Sequence, residues 1–225
     1  MAHGSEEHCD GAGEYLFEVI DAAGCSIPWI GRRDSGGVRC SMTMYGGLCE
    51  CEAAFVVPTA MFRVLFVFLI LSHDRRRLVY YSVTQHPTSA WTAQQLLEAF
   101  PWDSAPRYLL HDRDGSYGNE FHQAAEWIGI HEVRTAPRSP WQNAYVERLI
   151  GSIRRECLDH VIVLRESGLR RILKSYFAYY ERSRTHLSLA KDAPIPRAQQ
   201  PPELGRVIEL PEVGGLHHRY ERRAA

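Results

Sequence analysis

The feature that most constrains this fold is an apolar run in Val64–Ser72, whose residues 64–71 include no polar side chain. A run that is apolar on both faces is typical of a central strand in a sheet. It is far shorter than the roughly 20 residues that a membrane-spanning helix needs. Residues 55–57 and 78–83, which are rich in strand-forming side chains, lie close on either side of it. The sequence therefore predicts an antiparallel meander of three strands.

Helical patterns alternate with two further short strands after this meander. Helices are predicted from a cap at Thr88 or Ser89 to about Phe100, from a cap at Asn119 to Gly129, over 143–160 and over 169–183. The further strands are predicted at 107–110 and 130–135. This order predicts an α/β fold, with a mixed sheet flanked by helices.

Charge is distributed unevenly along the chain. The 26 basic and 27 acidic side chains nearly cancel, which excludes a polycation. Residues 1–60 have 3 basic and 9 acidic side chains, whereas residues 147–225 have 15 and 10. Because a local excess of positive charge favours contact with phosphates, the carboxy-terminal third is a candidate nucleic-acid-binding region.

Cysteine spacing and the amino terminus bear on the cellular compartment. Five of the six cysteines lie in the first 51 residues, without the paired C-x2-C spacing of a zinc ribbon. The simplest interpretation is that they are reduced. The first ten residues lack the basic-then-apolar order of a signal peptide. We therefore expect a cytoplasmic protein that does not contact a membrane.

Asp112 and Glu147 are the carboxylates that best suit a catalytic role. Asp112 follows a predicted strand, where open α/β sheets present their ligand-binding groups, and 34 residues separate it from Glu147 on a predicted helix. Carboxylates from a strand end and a helix suit Mg²⁺ or Mn²⁺, and two such ions can stabilise phosphoryl transfer. Basic side chains available for DNA phosphates lie on this helix and the next one: Arg148, Arg154, Arg155, Arg170, Arg171 and Lys174.

Five stretches make this interpretation more specific. They lie at 56–59, 109–115, 135–148, 154–160 and 179–189. The third contains Pro-Trp-Gln-Asn followed by Glu147-Arg148, and the fourth begins Arg-Arg-Glu-Cys. On these motifs, residues 53–190 resemble the integrase-type catalytic core of bacterial insertion-sequence transposases. The resemblance implies the ribonuclease-H-like fold that such cores share with retroviral integrases.

The resemblance also implies an Asp-Asp-Glu triad that holds the metal ions. Asp112 matches the second Asp and Glu147 matches the Glu. The first Asp falls on Ala53, with Glu52 next to it and Glu50 two residues further back. Since neighbouring residues of a strand lie on opposite faces, Glu52 could be a metal ligand only if its strand begins irregularly.

The function implied by the resemblance is DNA transposition. It would consist of metal-dependent strand cleavage and strand transfer with two Mg²⁺ or Mn²⁺ ions, by a homo-oligomer on paired DNA ends. The alternative is an inactive remnant that folds and binds DNA, because the first Asp is missing. The predicted domains are an unassigned segment at 1–52, the core at 53–190 and an extended, proline-containing tail at 191–225.

Two further interpretations concern single motifs. The string Asp-Arg-Asp-Gly-Ser at 112–116 imitates the signature of haloacid-dehalogenase phosphatases, whose first Asp is a nucleophile. Such enzymes need a later acidic pair, and no paired aspartates follow Lys174. For His186, near Arg184, we expect a structural hydrogen-bonding role.

Overall fold

The computed structural model describes residues 7–9, 14–20, 26–34, 37–39, 49–101, 104–136 and 140–224, with side chains described for 53–101, 104–136 and 142–224. The chain divides into two compact units. The first consists of Met1–Ala53 and Thr88–Ala144, and the second of Ala54–Pro87 and Tyr145–Ala225.

Strands and helices are numbered separately along the chain. The strands are β1 (Glu7–Cys9), β2 (Glu14–Ile20), β3 (Ser26–Asp34), β4 (Gly37–Arg39), β5 (Cys49–Pro58), β6 (Val64–Ser72), β7 (Leu78–Thr84), β8 (Tyr108–His111), β9 (His131–Arg134), β10 (Arg206–Glu212) and β11 (His217–Arg223). The helices are α1 (Ser89–Ala99), α2 (Asn119–Trp127), α3 (Ala144–Glu156) and α4 (Glu166–Arg182).

The first unit contains a parallel ladder in the order β5-β8-β9. Its register aligns Cys51 with Leu110, and Leu110 with Val133. Helices α1 and α2 pack against each other, with Leu96 and Phe121 fully buried. Strands β1 to β4 pair in chain order as an antiparallel sheet.

The second unit is built around β6. The order here is β7-β6-β5, and β6 and β7 pair antiparallel. Leu65 and residues 67–71 are buried, which confirms the prediction of a central strand that is covered on both faces. Helix α4 packs on β7, with Tyr176 fully buried, and β10 and β11 form an antiparallel hairpin.

The helix caps agree with the sequence at two positions and differ at a third. Thr88 is the N-cap of α1, since its Oγ1 accepts a hydrogen bond from Trp91 N at 3.1 Å. Gly129 follows α2 at φ +76°, a left-handed conformation that glycine adopts without steric cost. The predicted Asn119 cap is wrong: Gly118 is the N-cap of α2 and makes no side-chain hydrogen bond.

The two later helices have different bounds from those predicted. The third begins at Ala144, after a 3-10 turn at Pro140–Asn143, and ends at Glu156. The fourth begins at Glu166, three residues before the predicted start. Helix ends depend on which backbone groups find partners there, and hydrophobic periodicity does not report this.

Both ends of the chain contain strands that the sequence patterns did not indicate. Strands β1 to β4 lie in the segment for which the sequence predicted no fold. The prediction of an extended tail is wrong for 206–223, which form the β10–β11 hairpin. The proposed domain boundaries stay a prediction. Within the described ranges, no helix combines the length and hydropathy needed to cross a membrane.

Candidate functional site

Asp112 lies in the first unit, directly after β8, and is half-buried. Its Oδ1 accepts a hydrogen bond from Asp114 N at 3.0 Å, and Asp114 Oδ1 accepts one from Ser116 N at 2.8 Å. These two local turns fix the loop after the strand, as short acidic side chains often do. Arg113 Nε donates a hydrogen bond to the Thr135 carbonyl oxygen at 2.9 Å, and this bond connects the same loop to the end of β9.

A buried polar network lies behind Asp112. His111 is 1% exposed, and its Nδ1 donates to the Asp112 carbonyl oxygen at 2.7 Å. Its Nε2 donates to Glu132 Oε2 at 2.9 Å. Both ring nitrogens have a hydrogen-bond partner, so the His111 ring is held at two points. The network therefore fixes the backbone at Asp112 through a buried hydrogen bond.

Glu132 connects this network to α2. Its Oε2 also accepts from His122 Nδ1 at 2.7 Å, and Arg134 Nη2 donates to His122 Nε2 at 2.9 Å. Burial would raise the pKa of Glu132, but the hydrogen bonds from His111 and His122 outweigh it and hold that pKa below its ordinary value. The sequence motifs did not point to His111, Glu132 and His122 as members of one network.

Ala53 lies in the same unit, on β5, the strand next to β8. The β5–β8 ladder pairs Cys51 with Leu110, so continuing it by two residues sets Ala53 level with Asp112. Ala53 is 2% exposed and has only a methyl group. The side chains of Glu50 and Glu52 lie outside the described residues.

Glu147 lies in the second unit, in the first turns of α3. The apolar side chains Val146, Leu149 and Ile153 bury one face of this helix, and Glu147 is exposed beside it. An open groove of about 420 Å³ lies along the helix, lined by Ala54, Phe55, Val56, Glu147, Ile150, Gly151 and Arg154. The Arg154 guanidinium lies 5.9 Å from the centre of the Phe55 ring. Glu147 therefore shares a groove with a cation and an aromatic ring.

The predicted DNA-binding cations are all on exposed residues, at Arg148, Arg154, Arg155, Arg170, Arg171 and Lys174. Arg170 is engaged within the protein: its Nε donates to Glu166 Oε1 at 2.9 Å, and its Nη2 donates to the Val83 carbonyl oxygen. A guanidinium held by two protein acceptors has fewer donors left for a phosphate. Arg170 is thus the weakest of the six candidates.

The side chains that the structure describes do not form a complete two-ion centre. Among the described side chains, no three of His, Cys, Asp and Glu come together as potential metal ligands. The position level with Asp112 is an alanine. Asp114 Oδ1 already accepts a hydrogen bond from Ser116 N. Since Mg²⁺ and Mn²⁺ need several oxygen ligands, a centre built on Asp112 lacks a donor at position 53.

Part of this chain is similar to a known protein family. Residues 128–194 match the family model described as "Integrase core domain". This segment includes α3, Glu147 and α4. This stretch of the chain is therefore similar to an integrase core domain, which confirms the resemblance drawn from its motifs; an origin in a bacterial insertion sequence stays a prediction. A search of curated proteins gave no significant match.

Two solved structures share the fold. One is a chain from the simian T-cell lymphotropic virus intasome in complex with PP2A regulatory subunit B56 gamma. It is 14% identical with a TM-score of 0.53, over 76% of this chain and 65% of that chain. The other is the Mos1 transposase catalytic domain with raltegravir and Mg, 15% identical with a TM-score of 0.50, over 58% of this chain and 70% of that one. At such identities the likeness shows the fold alone, which is the predicted ribonuclease-H-like α/β fold.

Proposed function

We propose that this chain is the core of a DNA transposase, whose substrate is DNA and whose reaction class is phosphoryl transfer. The observation that carries the proposal is the integrase core match over 128–194, which includes Glu147. Asp112 at the end of β8 is the second carboxylate of the proposed site. The proposal includes Mg²⁺ or Mn²⁺ as cofactor, a homo-oligomer on paired DNA ends, and a cytoplasmic location.

The exposed cations of α3 and α4 support DNA as the partner. Arg148, Arg154 and Arg155 project from one helix, and Arg171 and Lys174 from the other. Guanidinium and ammonium groups bind phosphate oxygens without reading the base sequence. These side chains would therefore position DNA rather than select a target sequence.

A second candidate function is DNA binding without strand cleavage. It is favoured by one specific observation, the buried methyl group of Ala53, which the β5–β8 register sets level with Asp112 when it is continued by two residues. A chain that lacks this carboxylate can keep the fold and the exposed cations while losing the two-ion reaction. Whether another carboxylate replaces the one absent at position 53 therefore decides between an active and an inactive core.

Calorimetric titration with Mn²⁺ tests these two functions without knowledge of the DNA ends. The chain is compared with Glu147→Gln, Ala53→Asp and the matched control Ala53→Ser, which adds a polar group that is a poor metal ligand. If the unmodified chain binds two ions and Glu147→Gln loses them, an active core is supported and residues 50–52 must supply a ligand. If it binds weakly and only Ala53→Asp restores tight binding, the inactive core is supported.

A DNA-binding measurement completes the test. Fluorescence anisotropy with a labelled duplex should show salt-dependent binding by every folded variant, as checked by circular dichroism. Failure of the unmodified, folded chain to bind DNA would overturn both candidate functions.

A further inference from the structure

The second unit contains a larger groove, of about 1190 Å³, which we call the tail groove. It lies between the segment 189–204 and β11, with Arg182 at the end of α4 on its wall. It shares no lining residue with the groove beside Glu147. The tail groove is therefore a separate surface from the proposed catalytic groove.

The wall of the tail groove is predominantly basic. Its cations are Arg182, Lys191, Arg197 and Arg219. Its two carboxylates are neutralised by ion pairs, Asp192 with Arg75 at 2.8 Å and Glu221 with Arg219 at 3.0 Å. The other three lining cations make no ion pair within the described part of the chain, so their charge is available to an anionic ligand.

An aromatic ring accompanies these cations. Tyr220 lines the same groove and is 60% exposed. The amide side chains of Gln199 and Gln200 also line it, next to Leu204. A groove that bound only the phosphates of DNA would need only cations. An exposed ring in a basic groove also gives unpaired bases a surface on which to stack. The combination favours single-stranded over double-stranded DNA.

The groove is held in shape by long-range contacts. Gly205, at φ +108°, packs so closely on the carbonyl of Arg223 that an added Cβ would clash with its oxygen. Gln200 Oε1 accepts from Arg222 N at 2.5 Å, and Ile195 N donates to Glu181 O at 2.9 Å. These contacts fasten the 189–204 segment to the hairpin and to α4, so a ligand would meet a preformed surface.

We propose that the tail groove binds a single-stranded segment of DNA. Lys191, Arg197 and Arg182 contact successive phosphates, and the ring of Tyr220 stacks on a base. The inference goes beyond the proposed function, because it assigns a second DNA-binding surface that takes no part in phosphoryl transfer.

Fluorescence anisotropy in EDTA tests this, with a labelled single-stranded oligonucleotide of about 15 nucleotides. Lys191→Ala/Arg197→Ala should reduce the slope of log K against log salt by about 1.4, at about 0.7 for each lost phosphate contact. Tyr220→Ala should weaken single-strand binding about ten-fold, whereas Tyr220→Phe should bind as the parent does. A duplex of equal length should be insensitive to Tyr220→Ala.

The matched control is Arg63→Ala/Arg165→Ala, which removes the same charge from exposed residues outside the groove. It should leave the salt slope unchanged. An equal change in this control, an unchanged slope in the groove variant, or equal competition by poly-glutamate would overturn the proposal. If the chain bound duplex DNA but not single strands, the proposal for the tail groove alone would be overturned. The proposed transposase function would stand.

Discussion

The guanidinium of Arg184 binds both carboxylate oxygens of Glu156, with Nη2 to Oε1 at 2.6 Å and Nε to Oε2 at 2.8 Å. The Tyr176 hydroxyl donates to the same Oε2 at 2.9 Å. Burial would raise the pKa of Glu156, but the hydrogen bonds and positive charge of Arg184 hold it below its ordinary value. This two-point pair connects the end of α3 to the segment after α4.

Removing Arg184 should destabilise the protein strongly. Arg184→Ala leaves a half-buried carboxylate without its cation, and we expect the free energy of unfolding to fall by about 3 kcal/mol. Arg184→Lys keeps the charge but loses the planar fork, so it should recover only part of the loss. Urea unfolding at pH 7.5 measures both.

The matched control for that prediction is Glu166→Gln. It breaks the exposed ion pair with Arg170 four residues along the same helix, which should cost less than about 0.5 kcal/mol. Equal losses in Arg184→Ala and Glu166→Gln would show that the Glu156 pair contributes no more than a surface ion pair.

His186 should make stability depend on pH. Burial, and then the nearby Arg184 cation, lowers the pKa of His186 to about 4. Since the unfolded side chain titrates near 6.5, its contribution is complete above pH 6.5 and is lost as the pH falls toward 4. We expect a loss of about 3 kcal/mol from this residue by pH 4.

Urea unfolding between pH 7.5 and pH 4.5 checks this dependence. His186→Asn removes the titrating group and should flatten the fall in stability, whatever it does to stability at neutral pH. His86→Asn, at an exposed position, should follow the parent curve. If His186→Asn falls as steeply as the parent, His186 is not responsible for the pH dependence.

Gly205→Ala and Gly168→Ala should have opposite effects. At Gly205 the backbone is left-handed and a Cβ would clash with the carbonyl of Arg223, so alanine should cost at least about 2 kcal/mol. At Gly168, inside α4, nothing lies within 4 Å of the added Cβ, and alanine should stabilise by about 0.5–1 kcal/mol. Thermal unfolding gives the sign of each change, and a shared sign would contradict this steric difference.

Thr88→Ala and Asn119→Ala test the two helix caps. Thr88 Oγ1 accepts a hydrogen bond at the start of α1, so its loss should cost about 1 kcal/mol. Asn119 is exposed and does not cap α2, so alanine there should change stability by less than about 0.5 kcal/mol. Destabilisation by Asn119→Ala as large as that by Thr88→Ala would restore the capping role predicted from sequence.

Local patterns were sufficient for the elements that form the core. The unbroken apolar run of β6 requires cover on both faces, and the helical spacing of Leu149 and Ile153 requires a buried stripe on α3. Asp112 could be placed after a strand and Glu147 on a helix for the same reason. The β10–β11 hairpin escaped prediction because its strands, Arg206–Glu212 and His217–Arg223, are too rich in charged side chains to alternate clearly.

Residue identity and short-range spacing were enough to predict the core elements, to show an alanine at position 53 and to reveal the motifs that resemble an integrase core. Only the tertiary structure joins His111 and His122 through Glu132. It also decides that Arg170 donates to the Val83 carbonyl oxygen, and that Tyr220 lines one groove with Lys191. The hydrogen bonds among these contacts join residues 10 to 87 positions apart. Such partners follow from how packed elements meet, which no local period in the sequence specifies.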